Sequence, residues 1–252
     1  MEMKKIYPND RLMITKTNAY CPGCSHGLVQ KLLVETIEEL GIAEDSIGVS
    51  PIGCGGNIHR YIGIDFVQAA HGRAPAVATG IKRALPDKIV FTYQGDGDLI
   101  SIGASNIIHA AARNEKITVF FVNNGVFGNT GGQMAPTTLI GQKTTTSPTG
   151  RDSNLTGFPI RVCEMLATFP GNSYIARTAL NSPKSVKIAK RYIKKAFLNQ
   201  MKGIGFSLVE FLSICPTHWK LSPLEAIDRV SNLMTEYYKL GEFLTSEELE
   251  EK

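Results

Sequence analysis

No apolar run in the 252-residue chain approaches the ~18 residues that would suggest a membrane span. The opening MEMKKIYPND contains no apolar signal segment, so a soluble, cytoplasmic protein without a membrane partner is expected. Charge of one sign is not in excess: 27 Lys and Arg against 23 Asp and Glu leave a formal net charge of +4, which explains solubility and gives no footing for nucleic-acid binding. Internal repeats and low-complexity tracts are also missing. Cysteine is scarce, five in all, and in a cytosolic chain such residues read as metal ligands or buried thiols before disulfides. What is present, 43% hydrophobic and 20% charged residues, is globular and suits one large α/β domain.

Two short β-branched and aromatic runs, 88–94 (KIVFTYQ) and 117–122 (ITVFFV), read as buried parallel strands, and the Ala/Ile-rich stretch between them reads as a helix. A right-handed crossover brings both carboxyl ends to one rim of the sheet, where open α/β sheets bind ligands. The residues arriving there are Gly95-Asp96-Gly97-Asp98 and Asn123-Asn124. Glycines admit a close ligand, and the free N–H groups of a following helix suit phosphate. One carboxylate, one amide oxygen and a backbone carbonyl leave octahedral positions for phosphate oxygens and water, as Mg²⁺ prefers. The pattern therefore asks for a magnesium diphosphate. A plain nucleotide-binding or structural βαβ unit remains the alternative.

The segment YCPGCSH places Cys21 and Cys24 just before an amphipathic helix that Gly41 ends. Cys54 in PIGCGG and Cys215 in ICPT sit in turn-like settings, whereas Cys163 reads as a buried core thiol. Four cysteines can hold zinc or an iron–sulfur cluster. The second CxxC of a zinc ribbon is missing, and prolines after Cys21 and Cys215 lean towards iron–sulfur.

GDG followed at this interval by NN resembles the diphosphate motif of thiamine-diphosphate enzymes. The continuation VFGNTGGQ (126–133), CPGC, the GC about thirty residues on, the late CPT and the HGR segment resemble the β subunits of 2-oxoacid:ferredoxin oxidoreductases. HGRAPAVATGIK and GQKTTTSPTGRD look most like the short 2-ketoisovalerate and 2-oxoglutarate forms, while Asn129 is similar to the pyruvate enzymes. The resemblance implies an α/β fold, a mostly parallel sheet with helices on both faces, as one thiamine-diphosphate-binding domain over 1–252. In it the segment about 15–60 joins Cys215 in one metal site, and 242–252 form a tail. It implies Mg²⁺ on Asp96, Asn124 and the Val126 carbonyl, and a [4Fe–4S] cluster on Cys21, Cys24, Cys54 and Cys215. Cofactor contacts are expected from Gly95, Asp96, Gly97, Asp98, Asn124, Val126, Thr130 and Arg73. Asn129 is expected to face substrate, with His71 as a second candidate for the reacting groups.

The implied reaction is oxidation of a 2-oxoacid to acyl-CoA and CO₂ with electrons passed through the cluster to ferredoxin. Thiamine enzymes draw an activating glutamate from a different domain, and no segment of this chain reads as that domain. An α subunit carrying the pyrimidine-side domain is therefore expected, with γ and ferredoxin-like δ subunits as further partners and the chain inactive alone. Two other readings stay open: a non-oxidative thiamine-dependent 2-oxoacid decarboxylase subunit, and a non-enzymatic zinc-stabilised assembly subunit.

The aperiodic, Thr/Ser/Gly/Pro-rich stretch 134–159 leaves directly from the cofactor motif and is expected to wall the active site or cover a partner. Strands are expected over 173–177 and 205–212, with a helix from Pro183 to about Asn199 whose Lys184, Lys187, Arg191 and Lys194 form a solvated face. Ser222-Pro223-Leu224-Glu225 starts a helix expected to reach Gly241, and the acidic EELEEK reads as a frayed or partner-docked end. His109 reads as a packing histidine.

Overall fold

The computed structural model describes residues 12–15, 17–171 and 173–246. Helix α1 (His26–Leu40) is followed by β1 (Ser46–Ser50), a 3₁₀ turn (Cys54–Arg60), β2 (Asp65–Gln68), α2 (Ala74–Ala84) and β3 (Ile89–Gly95). A π-helical turn (Gly97–Ile102) leads into α3 (Ala104–Ala112), β4 (Thr118–Asn123) and the two-residue strands β5 (Val126–Phe127) and β6 (Gln133–Met134). Then come α4 (Ser153–Thr156), α5 (Val162–Leu166), β7 (Tyr174–Ala179), α6 (Pro183–Met201) and β8 (Ser207–Leu212). The chain continues through α7 (Pro216–Trp219), α8 (Pro223–Arg229), a π-helical turn (Val230–Met234), α9 (Thr235–Tyr237) and β9 (Gly241–Thr245).

Seven strands form one sheet in the order β2-β1-β3-β4-β8-β7-β9, parallel throughout except for β9. Helices cover both faces. On one, α1 and α6 pack over Phe91, Phe120, Phe197 and Phe211. Successive ring pairs there sit 5.2–6.4 Å apart, and edge-to-face contacts of this kind contribute about 0.5–1.5 kcal/mol each beyond area burial. On the other face α2, α3 and α5 close over Val90, Val119, Phe121 and Leu208. Helix α6 buries Ala189, Ile193 and Ala196, and turns Lys184, Lys187, Arg191 and Lys194 outward as the charge stripe requires.

Because neighbouring strands are parallel, the loops after β1, β3, β4 and β8 all leave at one rim. Register aligns Gly95 with Val122 and Asn123 with Leu212. Those four loops carry Cys54, Asp96, Asn124 and Cys215. Ser25, just before α1, joins them by accepting a 3.2 Å hydrogen bond from the Ile214 amide, which brings Cys21 and Cys24 to the same end.

Three local expectations change. The segment from Gly241 to Thr245, of which 242–245 were expected to belong to a tail, is an edge strand running antiparallel to β7; Phe243 and Leu244 pack against the core, so its apolar pair outweighs the acidic context. EELEEK itself lies outside the described residues. The helix after Ser222 ends at Tyr237 rather than Gly241, although its capping box forms as expected. His109 is exposed on α3 because Ile107, Ala110 and Ala111 supply the packed face.

Candidate active site

Asp96 follows β3 directly. Its carboxylate is 2% exposed and accepts hydrogen bonds from the Gly97 amide (3.0 Å) and the Thr137 hydroxyl (2.7 Å). No cation lies within ion-pair distance among the described residues. Burial pushes its pKa up to about 6, and the hydrogen bonds from Thr137 and the backbone amides hold it from going further. A buried carboxylate with only neutral partners suits a divalent cation, so the site fits the Mg²⁺ expected there. Phe127 packs over the turn so closely that a Cβ at Gly97 would lie 2.3 Å from its ring, which makes glycine obligatory.

Asn124 opens the second loop. Its side-chain oxygen accepts from the Val126 amide at 3.1 Å, and its carbonyl accepts from the Trp219 indole at 3.1 Å. Gly125 follows at φ +66°. The Gly125 carbonyl accepts the Thr138 hydroxyl (2.6 Å) and the Gln142 amide (3.3 Å). These bonds come from the stretch 134–159, which backs the Asp96 and Asn124 turns although none of its residues lines the cleft. Arg151 ties that stretch together by donating to the carbonyls of Pro136, Thr138, Thr156 and Gly157 at 2.6–3.2 Å.

Gly95, Asp96, Gly97, Asp98, Asn124, Val126, Asn129, Thr130 and His71 line one cleft of about 100 Å³. Asp98 also ties the cleft together. Its oxygens accept from His71 Nδ1 (2.6 Å), the Gly72 amide (2.9 Å), Gln94 (2.6 Å) and the Ile52 amide (3.3 Å), which ties the HGR and PIGC loops to β3. Oδ1 takes three of these bonds and Oδ2 one. A carboxylate only accepts, so Nδ1 of His71 carries the proton and Nε2 is left for a ligand. Arg73 is exposed at the start of α2 and lines neither this cleft nor the cysteine cavity.

Cys21, Cys24, Cys54 and Cys215 line a second cavity, of about 300 Å³. Burial, with the neighbouring sulfurs adding to it, pushes the Cys54 thiol up to about 11 and Cys215 to about 12, and raises Cys24 too. Thiols so disposed favour thiolate only when a metal centre is present. Among the described residues no three His, Cys, Asp or Glu side chains converge closely enough to hold a single ion. The two cavities share His26, Cys54, Asn124, Gly128 and Asn129. Gly128 sits close against the cysteines: a Cβ there would lie 3.1 Å from Cys54 Sγ and 3.8 Å from both Cys215 Sγ and Asn124 Nδ2.

Two features were not foreseen. Under the cysteines, His26 Nδ1 meets the Tyr93 hydroxyl at 2.6 Å and the ring stacks on Tyr20 at 5.1 Å; burial lowers its pKa to about 4, so it is neutral. Below the second loop, Asn123 donates to Glu210 (2.7 Å), which accepts from Arg177 Nε (2.7 Å) and the Cys163 thiol (3.1 Å), while Arg177 grips Glu164 with both terminal nitrogens (2.6 and 3.0 Å). Cys163 is thus a core thiol, as expected, with a carboxylate partner. A lone Glu inside SLVEFL and a lone Arg inside YIARTA were the available signals, since a charge in a fully buried strand requires a counter-charge.

Known proteins are similar to this chain in sequence and fold. A family model described as the C-terminal TPP binding domain of thiamine pyrophosphate enzymes matches residues 53–211. Ketoisovalerate oxidoreductase subunit VorA of Methanothermobacter thermautotrophicus is 52% identical over 199 residues, covering 79% of this chain and 42% of that protein, so the chain spans about two-fifths of its length. 2-Oxoglutarate synthase subunit KorB of Archaeoglobus fulgidus is 39% identical over 208 residues, covering 82% of this chain and 73% of that protein. A 2-oxoacid:ferredoxin oxidoreductase subunit beta from Sulfolobus is 36% identical over 215 residues, 84% of this chain and 67% of that protein. The solved 2-oxoglutarate:ferredoxin oxidoreductase of Magnetococcus marinus, with 2-oxoglutarate, coenzyme A and succinyl-CoA bound, matches at TM-score 0.77 and 26% identity over 94% of this chain and 84% of the matched chain. The chain belongs to the β-subunit family of the 2-oxoacid:ferredoxin oxidoreductases and carries their thiamine pyrophosphate enzyme C-terminal domain.

Proposed function

We propose that this chain is the thiamine-diphosphate-binding subunit of a cytoplasmic, hetero-oligomeric 2-oxoacid:ferredoxin oxidoreductase. The complex would convert a 2-oxoacid and CoA to acyl-CoA and CO₂ and pass the electrons to ferredoxin. The observation that carries the reading is the wall of residues shared between the cysteine cavity and the Asp96–Asn124 cleft. It would set an electron exit beside the place proposed for the carbon chemistry.

Asp96, the Asn124 side-chain oxygen and the Val126 carbonyl would hold Mg²⁺ and, through it, the diphosphate of the cofactor. Thiamine diphosphate supplies the carbon nucleophile and electron sink for decarboxylation, and a [4Fe–4S] cluster on Cys21, Cys24, Cys54 and Cys215 accepts single electrons. Four cysteines around one cavity of about 300 Å³ support a thiolate-held metal centre there. His71 lines the cleft and is held through Nδ1 by Asp98, which leaves Nε2 suited to a carboxylate or carbonyl oxygen of substrate. Asn129 lines both cavities and is the residue we place against the substrate.

The cleft is small enough to take the diphosphate end alone. The activating glutamate and the pyrimidine pocket would come from an α subunit. Leu155 and Phe158, 83% and 71% exposed on the stretch that backs the site, are suited to contact it, with γ and ferredoxin-like δ subunits completing the assembly.

The test is a panel of branched-chain 2-oxoacids, 2-oxoglutarate and pyruvate, with CoA and ferredoxin, on the complex purified anaerobically with its partners. Ferredoxin reduction that depends on CoA, together with brown colour and acid-labile sulfide lost in Cys54→Ser, supports the proposal. A colourless, zinc-loaded protein that releases CO₂ without reducing ferredoxin supports the decarboxylase reading. Zinc without thiamine diphosphate binding supports the assembly subunit. Asn129→Leu should change the relative kcat/KM among the 2-oxoacids, and an unchanged profile would remove Asn129 from the substrate.

A further inference from the structure

His26 lines both the cysteine cavity and the Asp96–Asn124 cleft with 2% of its surface exposed, and the proposed reaction leaves it unused. Its Nδ1 meets the Tyr93 hydroxyl at 2.6 Å. Tyr93 is fully buried, and among the described residues its hydroxyl has no other hydrogen-bond partner. That hydroxyl must donate: if it only accepted, its own proton would be buried without an acceptor. Nδ1 therefore accepts. With no carboxylate in ion-pair distance among the described residues, the buried ring is neutral, and its single proton is on Nε2. Nε2 has no partner among the described residues, yet it is not sealed in by protein, so it opens onto the cavities that the ring lines.

The ring is fixed on the sulfur side of the shared wall. It stacks on Tyr20 at 5.1 Å and stands edge-on to Tyr93 at 5.6 Å. Tyr20, whose hydroxyl accepts from Gln30 at 2.5 Å, borders the cysteine cavity and not the cleft. Tyr93 packs against the turn after Cys54: a Cβ at Gly55 would lie 2.8 Å from its ring. Burial keeps both tyrosine hydroxyls protonated, and negative charge on Cys24 or Cys54 adds to the effect, which places the two rings beside those sulfurs.

We propose that His26, oriented by Tyr93, donates its Nε2–H to a sulfur of the centre held by Cys21, Cys24, Cys54 and Cys215 and thereby raises the reduction potential of that centre. A donor aimed at sulfur favours the state with more negative charge there, which is the reduced one. The centre gains one electron; no bond to His26 forms or breaks, and its proton stays on Nε2. His26 and Tyr93 are thus positioning residues that touch no reacting carbon. The inference rests on the [4Fe–4S] reading of the four cysteines.

The experiment is an EPR-monitored redox titration of the full chain purified anaerobically, with iron and acid-labile sulfide counted in every variant. His26→Phe keeps a ring and removes the donor; its reduction constant should fall about tenfold, which is about 59 mV for one electron. His26→Gln, whose amide nitrogen stands where Nε2 does, should recover part of the loss. Tyr93→Phe should shift the potential the same way by less, and should add nothing on top of His26→Phe. An iron-replete His26→Phe with the wild-type potential overturns the proposal, and so does a His26→Gln no better than His26→Phe. If His26→Phe does not hold iron, Tyr93→Phe decides, and an unmoved potential there overturns it. Weaker thiamine diphosphate binding in His26→Phe at an unmoved potential would give the donor to the cofactor and also overturn it. A colourless, zinc-loaded wild-type chain removes the cluster reading and this inference with it, whereas a brown wild type with unresponsive variants removes this inference alone.

Discussion

Two buried acidic centres lie on the same sheet and are solved in opposite ways. Glu210, in the middle of β8, is 0% exposed and meets Arg177, also 0% exposed, from the adjacent strand, with Asn123 and Cys163 completing its partners. Burial opposes the charge of Arg177, yet Glu210 and Glu164 lift its pKa above the ordinary guanidinium value. Asp96, at the end of β3, is 2% exposed and receives one hydroxyl and one amide. One charge is closed within the chain. The other is open to a cation from outside. Burial alone does not mark a functional carboxylate; burial without a counter-charge does.

The largest effect should come from opening the closed centre. Arg177→Met leaves Glu210 charged and alone in the core and should cost about 3–5 kcal/mol, read as a fall in the denaturant midpoint with an unchanged slope. If stability is unaffected, the pair is not the closed unit described. Next, Asp96→Asn should weaken Mg²⁺-dependent thiamine diphosphate binding by about a hundredfold or more, since removing a ligand should exceed the 10–100-fold seen for outer-shell partners. Its stability should not fall, because no ion pair is lost.

A third, smaller effect is in pH. The folded pKa of Asp96, about 6, lies above its ordinary 3.8. Its contribution to the stability of the cation-free protein is therefore fully present below about 4 and lost as pH rises through about 6. Mg²⁺ binding needs the ionised form, so affinity should drop about tenfold per unit below pH 6 and level off above it. Asp96→Asn should flatten the stability profile. The smallest effect is Thr137→Val: losing one hydrogen bond to the ionised form should move the midpoint of the Mg²⁺ profile upward by about half a unit to one unit.

Much of this was legible in the sequence because its signals are local. KIVFTYQ, ITVFFV and GFSLVEFL become β3, β4 and β8 within two residues at each end, and Cys54, Asp96, Asn124 and Cys215 come to one rim because parallel strands leave them there. The edge strands β2 and β9 were not legible: DFVQ and GEFLT are short, largely unburied and supported by a single neighbour each. The hydrogen bonds that Asp98 makes within the chain were not legible because its partners, Ile52, Gln94, His71 and Gly72, come from three different segments. The Asn123–Glu210 bond spans 87 positions and no periodicity reports it.

The most direct test sets the two acids side by side. On the complex with its partner subunits, Mg²⁺-dependent thiamine diphosphate binding and urea unfolding would be measured for Asp96→Asn and Glu210→Gln. The account predicts a crossed result: Asp96→Asn loses the Mg²⁺-dependent binding and keeps its unfolding midpoint, while Glu210→Gln loses stability and retains a measurable Mg²⁺ dependence. Mg²⁺-dependent binding of wild-type strength in Asp96→Asn would contradict it.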